Sequence, residues 1–172
     1  MKMKVIVMLA AFALTASAAA AQELPRKVQN VEVLDLDGKP AKLPYFGEKN
    51  LMIFYVDPDR HKQNEDFTIE LEQNHRAESD NIHGFGVMNL KDAPMVPNGM
   101  ARNMAKKRTA KNGATVLADQ NRILSTAWAL GDCNNQFVLM IVSKEGELVF
   151  LRKGELSDAD KEAFYETIEK YK

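Results

Sequence analysis

The stretch Leu51-Met-Ile-Phe-Tyr-Val56-Asp-Pro-Asp-Arg-His-Lys-Gln63 constrains this chain more than any other. Its apolar run, 51–56, has no polar alternation, which is the pattern of a strand covered on both faces. Pro58 cannot donate a ladder hydrogen bond, so the strand stops at Asp57. Asp59 is then placed to cap a helix over about 62–78, with Phe67 and Leu71 as a thin apolar stripe. A buried strand feeding directly into a helix implies a sheet with parallel members.

The flanking segments extend this pattern. Val31 to Leu43 alternates around Asp37-Gly38, a hairpin turn signal. Ile82 to Leu90 reads as a glycine-interrupted strand, and Pro94 and Pro97 mark a loop. Met100, Ala101, Met104 and Ala105 form a short helical apolar face. The cations Arg102, Lys106, Lys107 and Lys111 lie away from it; with no glycine-rich loop or interleaved aromatics they read as a solvated face. A strand over 114–118 and a short helix over 123–130 follow. A second hairpin spans Phe137–Val142 and Glu147–Leu151, and Ser157 caps a last helix that carries Phe164, Ile168 and Tyr171.

The first residues have the layout of a secretory signal peptide. Lys2 and Lys4 precede an apolar run, Val5 to Leu14, and small residues lead to Ala21-Gln22. That run is too short for a stable membrane span, and no cysteine follows it to take a lipid anchor. The expected division is a signal over 1–21 and one domain over 22–172, large enough to bury a core without disulfides. Cleavage removes two lysines, leaving 21 basic against 24 acidic residues, a net charge near −3. Such a balance does not favour nucleic acid or anionic lipid. The single cysteine, Cys133, excludes an intrachain disulfide.

Several motifs occur in order along the chain. They are Val56-Asp-Pro-Asp59 with Asn64 and Phe67, Pro97-Asn-Gly-Met100, Val116-Leu-Ala-Asp119 leading to Ala127-Trp-Ala-Leu130, and Val142-Ser-Lys-Glu-Gly146 with Lys153-Gly154. On these the chain resembles the YtfJ family, periplasmic proteins within the thioredoxin-like superfamily. The resemblance implies an α/β thioredoxin-like three-layer sandwich, a central mixed sheet with helices on both faces, and a periplasmic location. It carries over no catalytic residue. A wider likeness to TlpA- and peroxiredoxin-type proteins shows in the Asp35-Leu-Asp-Gly38 hairpin. Two departures touch the redox centre of that superfamily. Arg60 to Gln63 stand where its cysteine pair would be, and Phe137 stands where its cis-proline would precede the penultimate strand.

The remaining chemistry is sparse. Cys133 follows the Trp128 helix in the polar loop Gly131-Asp-Cys-Asn-Asn135, beside Asp132 and with no neighbouring cation in sequence to activate it. It reads as an incidental thiol and is the weak candidate for catalysis. Asp57, Asp59 and His61 offer oxygen and imidazole ligands, but lack the glycine and distal glutamate of a calcium loop; strand stop and helix cap account for them, and no metal is expected. His75 and His83 have no ligand partner in sequence, and Trp128 reads as core. There is no G-x-S-x-G, P-loop or G-x-G-x-x-G. The leading expectation is an exported thioredoxin-fold module without a cofactor. It would bind a periplasmic protein or small ligand through Asp57, Asp59, Arg60 and His61, at the carboxyl end of a parallel strand. The rival is a single-cysteine reductase or peroxidase acting through Cys133.

Overall fold

A computed structural model describes residues 23–172. The expected signal segment lies outside the described residues. Eight strands form one sheet: β1 (Arg26–Lys27), β2 (Glu32–Leu34), β3 (Pro40–Lys42), β4 (Asn50–Val56), β5 (Ile82–Asn89), β6 (Val116–Asp119), β7 (Phe137–Val142) and β8 (Glu147–Lys153), in the order β1-β8-β7-β4-β5-β6-β2-β3. β4, β5 and β6 are parallel, with Val56 beside Met88 and Asn89 beside Asp119. β7 runs antiparallel to β4, pairing Val56 with Phe137, and β8 returns antiparallel to β7. Three helices connect strands, α1 (Glu65–Asn74), α2 (Asn98–Asn112) and α3 (Ile123–Ala127), and α4 (Asp158–Tyr171) follows β8. The mixed α/β sandwich expected from the strand–helix alternation is the architecture observed.

The period-two alternation of the strands divides the apolar residues between the two faces of the sheet. Leu51, Ile53 and Tyr55 of β4 join Val138 and Met140 of β7 beneath Leu124 and Trp128 of the α3 segment. The opposite face carries Leu139 and Ile141, covered by Phe67 and Leu71 of α1 and by Phe164 and Ile168 of α4. Trp128 Nε1 donates to the Gln29 carbonyl at 2.8 Å, so its one polar atom is satisfied inside the core. A reciprocal Ser157–Asp160 capping box starts α4.

Three details differ from the sequence expectation. β4 is fully buried on one face only; Met52, Phe54 and Val56 are half-buried on the other. α1 begins at Glu65 rather than near 62, because Asn64 is left-handed (φ 62°) and cannot continue a helix, and it ends where His75 is left-handed (φ 51°). On α2 the expected apolar face is not buried. Ala101 alone packs inward, whereas Met100 and Met104 are 57% and 63% exposed.

Candidate functional site

The carboxyl ends of the three parallel strands all close on a polar residue: Asp57 after β4, Asn89 ending β5 and Asp119 ending β6. All three are fully buried. Asp57 is therefore not the solvent-facing group expected from its place after a strand. Its carboxylate accepts from the Asp59 amide at 2.9 Å and from the Asn135 amide at 2.7 Å. It is Asp57, not Asp59, that caps the short 3₁₀ turn Pro58–Arg60. Burial pushes the Asp57 carboxyl above the usual carboxylate range against the pull of those two amides, with the charges of Asp59 and Asp92 adding to the rise.

Asp119 is also structural. Its Oδ1 accepts from Asn121 and Ile123, and its Oδ2 from Leu124 and the Tyr55 hydroxyl, which ties the start of α3 to β6. Asn89 donates to Asp92 at 2.6 Å and, more weakly, to the Cys133 carbonyl at 3.4 Å. Arg122 Nε donates to Asp92 at 2.8 Å. Burial would raise the Asp92 carboxyl, but the Arg122 guanidinium and the Asn89 amide outweigh it and hold the group low. Sequence reasoning missed the Asn89–Asp92–Arg122 network and the separate anchoring role of Asp119. The available signal was that each parallel strand ends in Asp or Asn.

Cys133 is buried in the core cluster with Trp128, Leu130 and Tyr55, rather than displayed on a polar loop. Gly131 (φ 72°) and Asn135 (φ 55°) reverse the chain on either side of it. Lys153 Nζ donates to the Leu130 and Asp132 carbonyls at 2.8 and 2.9 Å and holds the loop down. Burial pushes the Cys133 thiol up to about 11 despite the nearby Lys153 charge.

Of the expected surface, Asp59, Arg60 and His61 are exposed. With Lys62, Gln63 and Glu155 they line a shallow depression of about 380 Å³. Arg60 Nε donates to Asn135 Oδ1 at 3.2 Å, His61 Nδ1 lies 3.1 Å from the Pro58 carbonyl, and Gln63 Oε1 accepts from the Phe137 amide at 2.7 Å. The peptide bond before Phe137 is trans; among the described residues the cis bond is Leu24–Pro25. No His, Cys, Asp and Glu grouping suited to a metal ion occurs among the described residues.

No protein-family model matches the chain, and no curated protein matches it. Solved structures do. The exposed lipoprotein thioredoxin of Streptococcus pneumoniae superposes with a TM-score of 0.56 at 18% identity, over 83% of this chain and 99% of that one. A DsbF homologue from Corynebacterium diphtheriae gives 0.60 at 12% identity, over 84% and 87%. A peroxiredoxin-like protein from Aquifex aeolicus gives 0.60 at 11% identity, over 86% and 88%. The fold is thioredoxin-like. Against that fold, a chain whose one cysteine is buried has no dithiol to exchange. No helix among the described residues is long and apolar enough to cross a membrane.

Proposed function

We propose that this protein is an exported, YtfJ-like binding module that keeps the thioredoxin frame and has given up dithiol chemistry. Its partner, a periplasmic protein or a small ligand, would engage the exposed edge Asp59-Arg60-His61-Lys62 at the carboxyl end of β4. The observation that carries this reading is the state of Cys133. A buried thiol raised to about 11 leaves roughly one part in ten thousand as thiolate at pH 7, and the thiolate is the nucleophile. The position where exchange would occur holds instead an open patch of mixed charge, Arg60, His61 and Lys62 together with Asp59 and Glu155, suited to polar and charged groups of a partner. The amino-terminal segment supports export, and protein recovered from the periplasm should begin near Gln22.

The test is site-directed cross-linking in the periplasm from a photoreactive residue at Lys62, with and without Arg60→Ala and His61→Ala together. Loss of the cross-linked adduct at unchanged melting temperature supports the reading. An adduct that survives the double substitution leaves this edge as a structural remnant. Turnover of a disulfide or peroxide that vanishes in Cys133→Ser would show that the rival, a single-cysteine enzyme, is correct.

A further inference from the structure

The methionines that follow the expected signal segment divide sharply by exposure. Met140 lies in the core, and Met52 and Met88 are half-buried. Met95, Met100 and Met104 are 83%, 57% and 63% exposed. With Tyr45, Ile69 and Ile123 they are the large apolar side chains left in solvent among the described residues. Apolar residues scattered singly on a surface are ordinary; three thioethers in one short segment are a patch. They contribute nothing to the core, because the residue of α2 that packs inward is Ala101, against Leu90 and Ala118. What distinguishes these positions is therefore the sulfur.

The patch has a charged neighbour. Met100 and Met104 lie one turn apart on α2, about 5–6 Å between Cβ atoms. The same steps of three and four residues lead on to Lys107, Arg108 and Lys111, so thioethers and cations share one exposed stripe. These three cations make no ion pair among the described residues; on α2 it is Lys106 that pairs, with Asp37. α2 has no acidic residue, and Asp92 in the loop before it is buried against Arg122. The accessible sulfur of this protein is thus thioether beside positive charge, whereas its one thiol is buried. A thioether needs no deprotonation to react, unlike a thiol.

We propose that Met95, Met100 and Met104 form a reversible oxidation site for anionic peroxides. A thioether lone pair attacks the outer peroxide oxygen, an S–O bond forms and the O–O bond breaks. The bonding pair leaves with the inner oxygen as an oxyanion, and the hydroxyl proton passes to that oxyanion or to water. Sulfur is oxidised by two electrons to the sulfoxide and the peroxide is reduced by two. A dithiol-dependent methionine sulfoxide reductase reverses the change: sulfoxide and dithiol give thioether, disulfide and water. The oxidised stripe is polar where it was apolar, with the core untouched. The site uses none of the residues at the Arg60–His61 edge, so either reading can fail alone.

The experiment exposes the intact exported protein at pH 7 to peroxymonosulfate, an anionic peroxide, and separately to hydrogen peroxide, a neutral one. Peptide mass spectrometry follows each methionine with time. Met95, Met100 and Met104 should become sulfoxides at least about tenfold faster than Met140 and ahead of Met52 and Met88, with Cys133 unmodified. The melting temperature should stay within about 2 °C, and the two epimer-specific reductases with dithiothreitol should restore the starting mass. Lys107→Glu with Arg108→Glu should slow peroxymonosulfate at Met104 by about three- to tenfold and leave the hydrogen peroxide rate unchanged. Should that variant misfold, the native protein decides the same question, because added salt should slow only the peroxymonosulfate reaction. Oxidation of Met52 or Met140 in step with the exposed three, prior consumption of Cys133, or loss of the fold with the three sulfoxides overturns the proposal. Sulfoxides that the reductases leave in place overturn its reversibility. A peroxymonosulfate rate indifferent to both the charge reversal and salt overturns the choice of anionic oxidant.

Discussion

Replacing Asp57 tests the least expected feature of the junction. Its buried carboxylate accepts two backbone amides, that of Asp59, two positions on, and that of Asn135, 78 positions on. Asp57→Ala strands both donors and removes the cap of the 3₁₀ turn. A cap alone is worth about 1 kcal/mol. An amide left without its charged acceptor in a half-buried site costs about 1–3 kcal/mol, less where water can reach it. The sum is about 2–4 kcal/mol, which in a domain of this size lowers the melting temperature by about 5–15 °C. Asp57→Asn keeps one acceptor and should cost about half as much.

The pH dependence of that cost reports the balance of forces on Asp57. Burial raises its carboxyl, so the native state holds the proton more readily than the unfolded chain. A raised native pKa contributes stability that is complete below the unfolded value near 3.9 and is lost as pH rises through the native value. The stability gap between the native sequence and Asp57→Asn should therefore widen as pH falls from 7 to about 4. Urea unfolding followed by the fluorescence of the buried Trp128 measures the gap at each pH; other carboxylates titrate equally in both proteins and cancel. A gap that narrows on acidification would mean that the two amides outweigh burial and that the carboxylate is held as an anion. A cost for Asp57→Ala below about 0.5 kcal/mol would refute the structural role altogether.

Two further substitutions probe neighbouring contacts. Cys133→Ser places a hydroxyl among Trp128, Leu130 and Tyr55 and should cost about 1–2 kcal/mol; alkylation of the native thiol at pH 8 should be slow and become fast only in urea, and rapid native labelling would contradict its burial. Asn64 adopts φ 62° while its side chain joins the Gly154 carbonyl (2.9 Å) and the Leu156 amide (2.8 Å), so Asn64→Ala should cost about 2–3 kcal/mol and Asn64→Gly, which keeps the backbone, measurably less; equal losses by thermal melting would show that the backbone conformation contributes nothing.

The frame was legible because it is written in local patterns. The uninterrupted apolar run 51–56, the Asp37-Gly38 turn (Gly38 at φ 83°) and the Ser157 cap each state their structure within a few residues. The site was not, because it is assembled across the sheet. Nothing near Asp57 announces that the Asn135 amide will bury it, and Asp132 and Asn134 make the Cys133 loop read as polar although two positive-φ residues turn the thiol inward. The α2 stripe misled for a related reason. Periodicity locates Met100 and Met104 on a common side, but the residue that packs inward is Ala101, against Leu90 and Ala118, which leaves both methionines exposed. The ordered motifs behind the family resemblance prove to be largely fastenings: Asn64, Asp119 and Lys153 each hold a loop or helix start by hydrogen bonds.

The two departures from the redox pattern, at Arg60–Gln63 and at Phe137, meet in one place. Arg60 and Gln63 both reach the segment entering β7: Arg60 to Asn135, Gln63 to the Phe137 amide. Asp57 adds two more bonds across the same gap, accepting from the Asn135 amide and donating its own amide to the Gln136 carbonyl at 3.1 Å. The cleft between residues 57–63 and the segment entering β7 is therefore bridged by hydrogen bonds. Gln63→Ala tests this. It removes the acceptor of the Phe137 amide, whose carbonyl stays engaged with the Gly154 amide at 2.8 Å, and should cost about 1–2 kcal/mol. Hydrogen exchange at Phe137 should rise by about ten- to thirtyfold if that bond limits local opening, with little change at Leu139 in the middle of β7. Equal acceleration at both amides would show global loosening, and no acceleration at Phe137 would show that the bridge does not close the cleft.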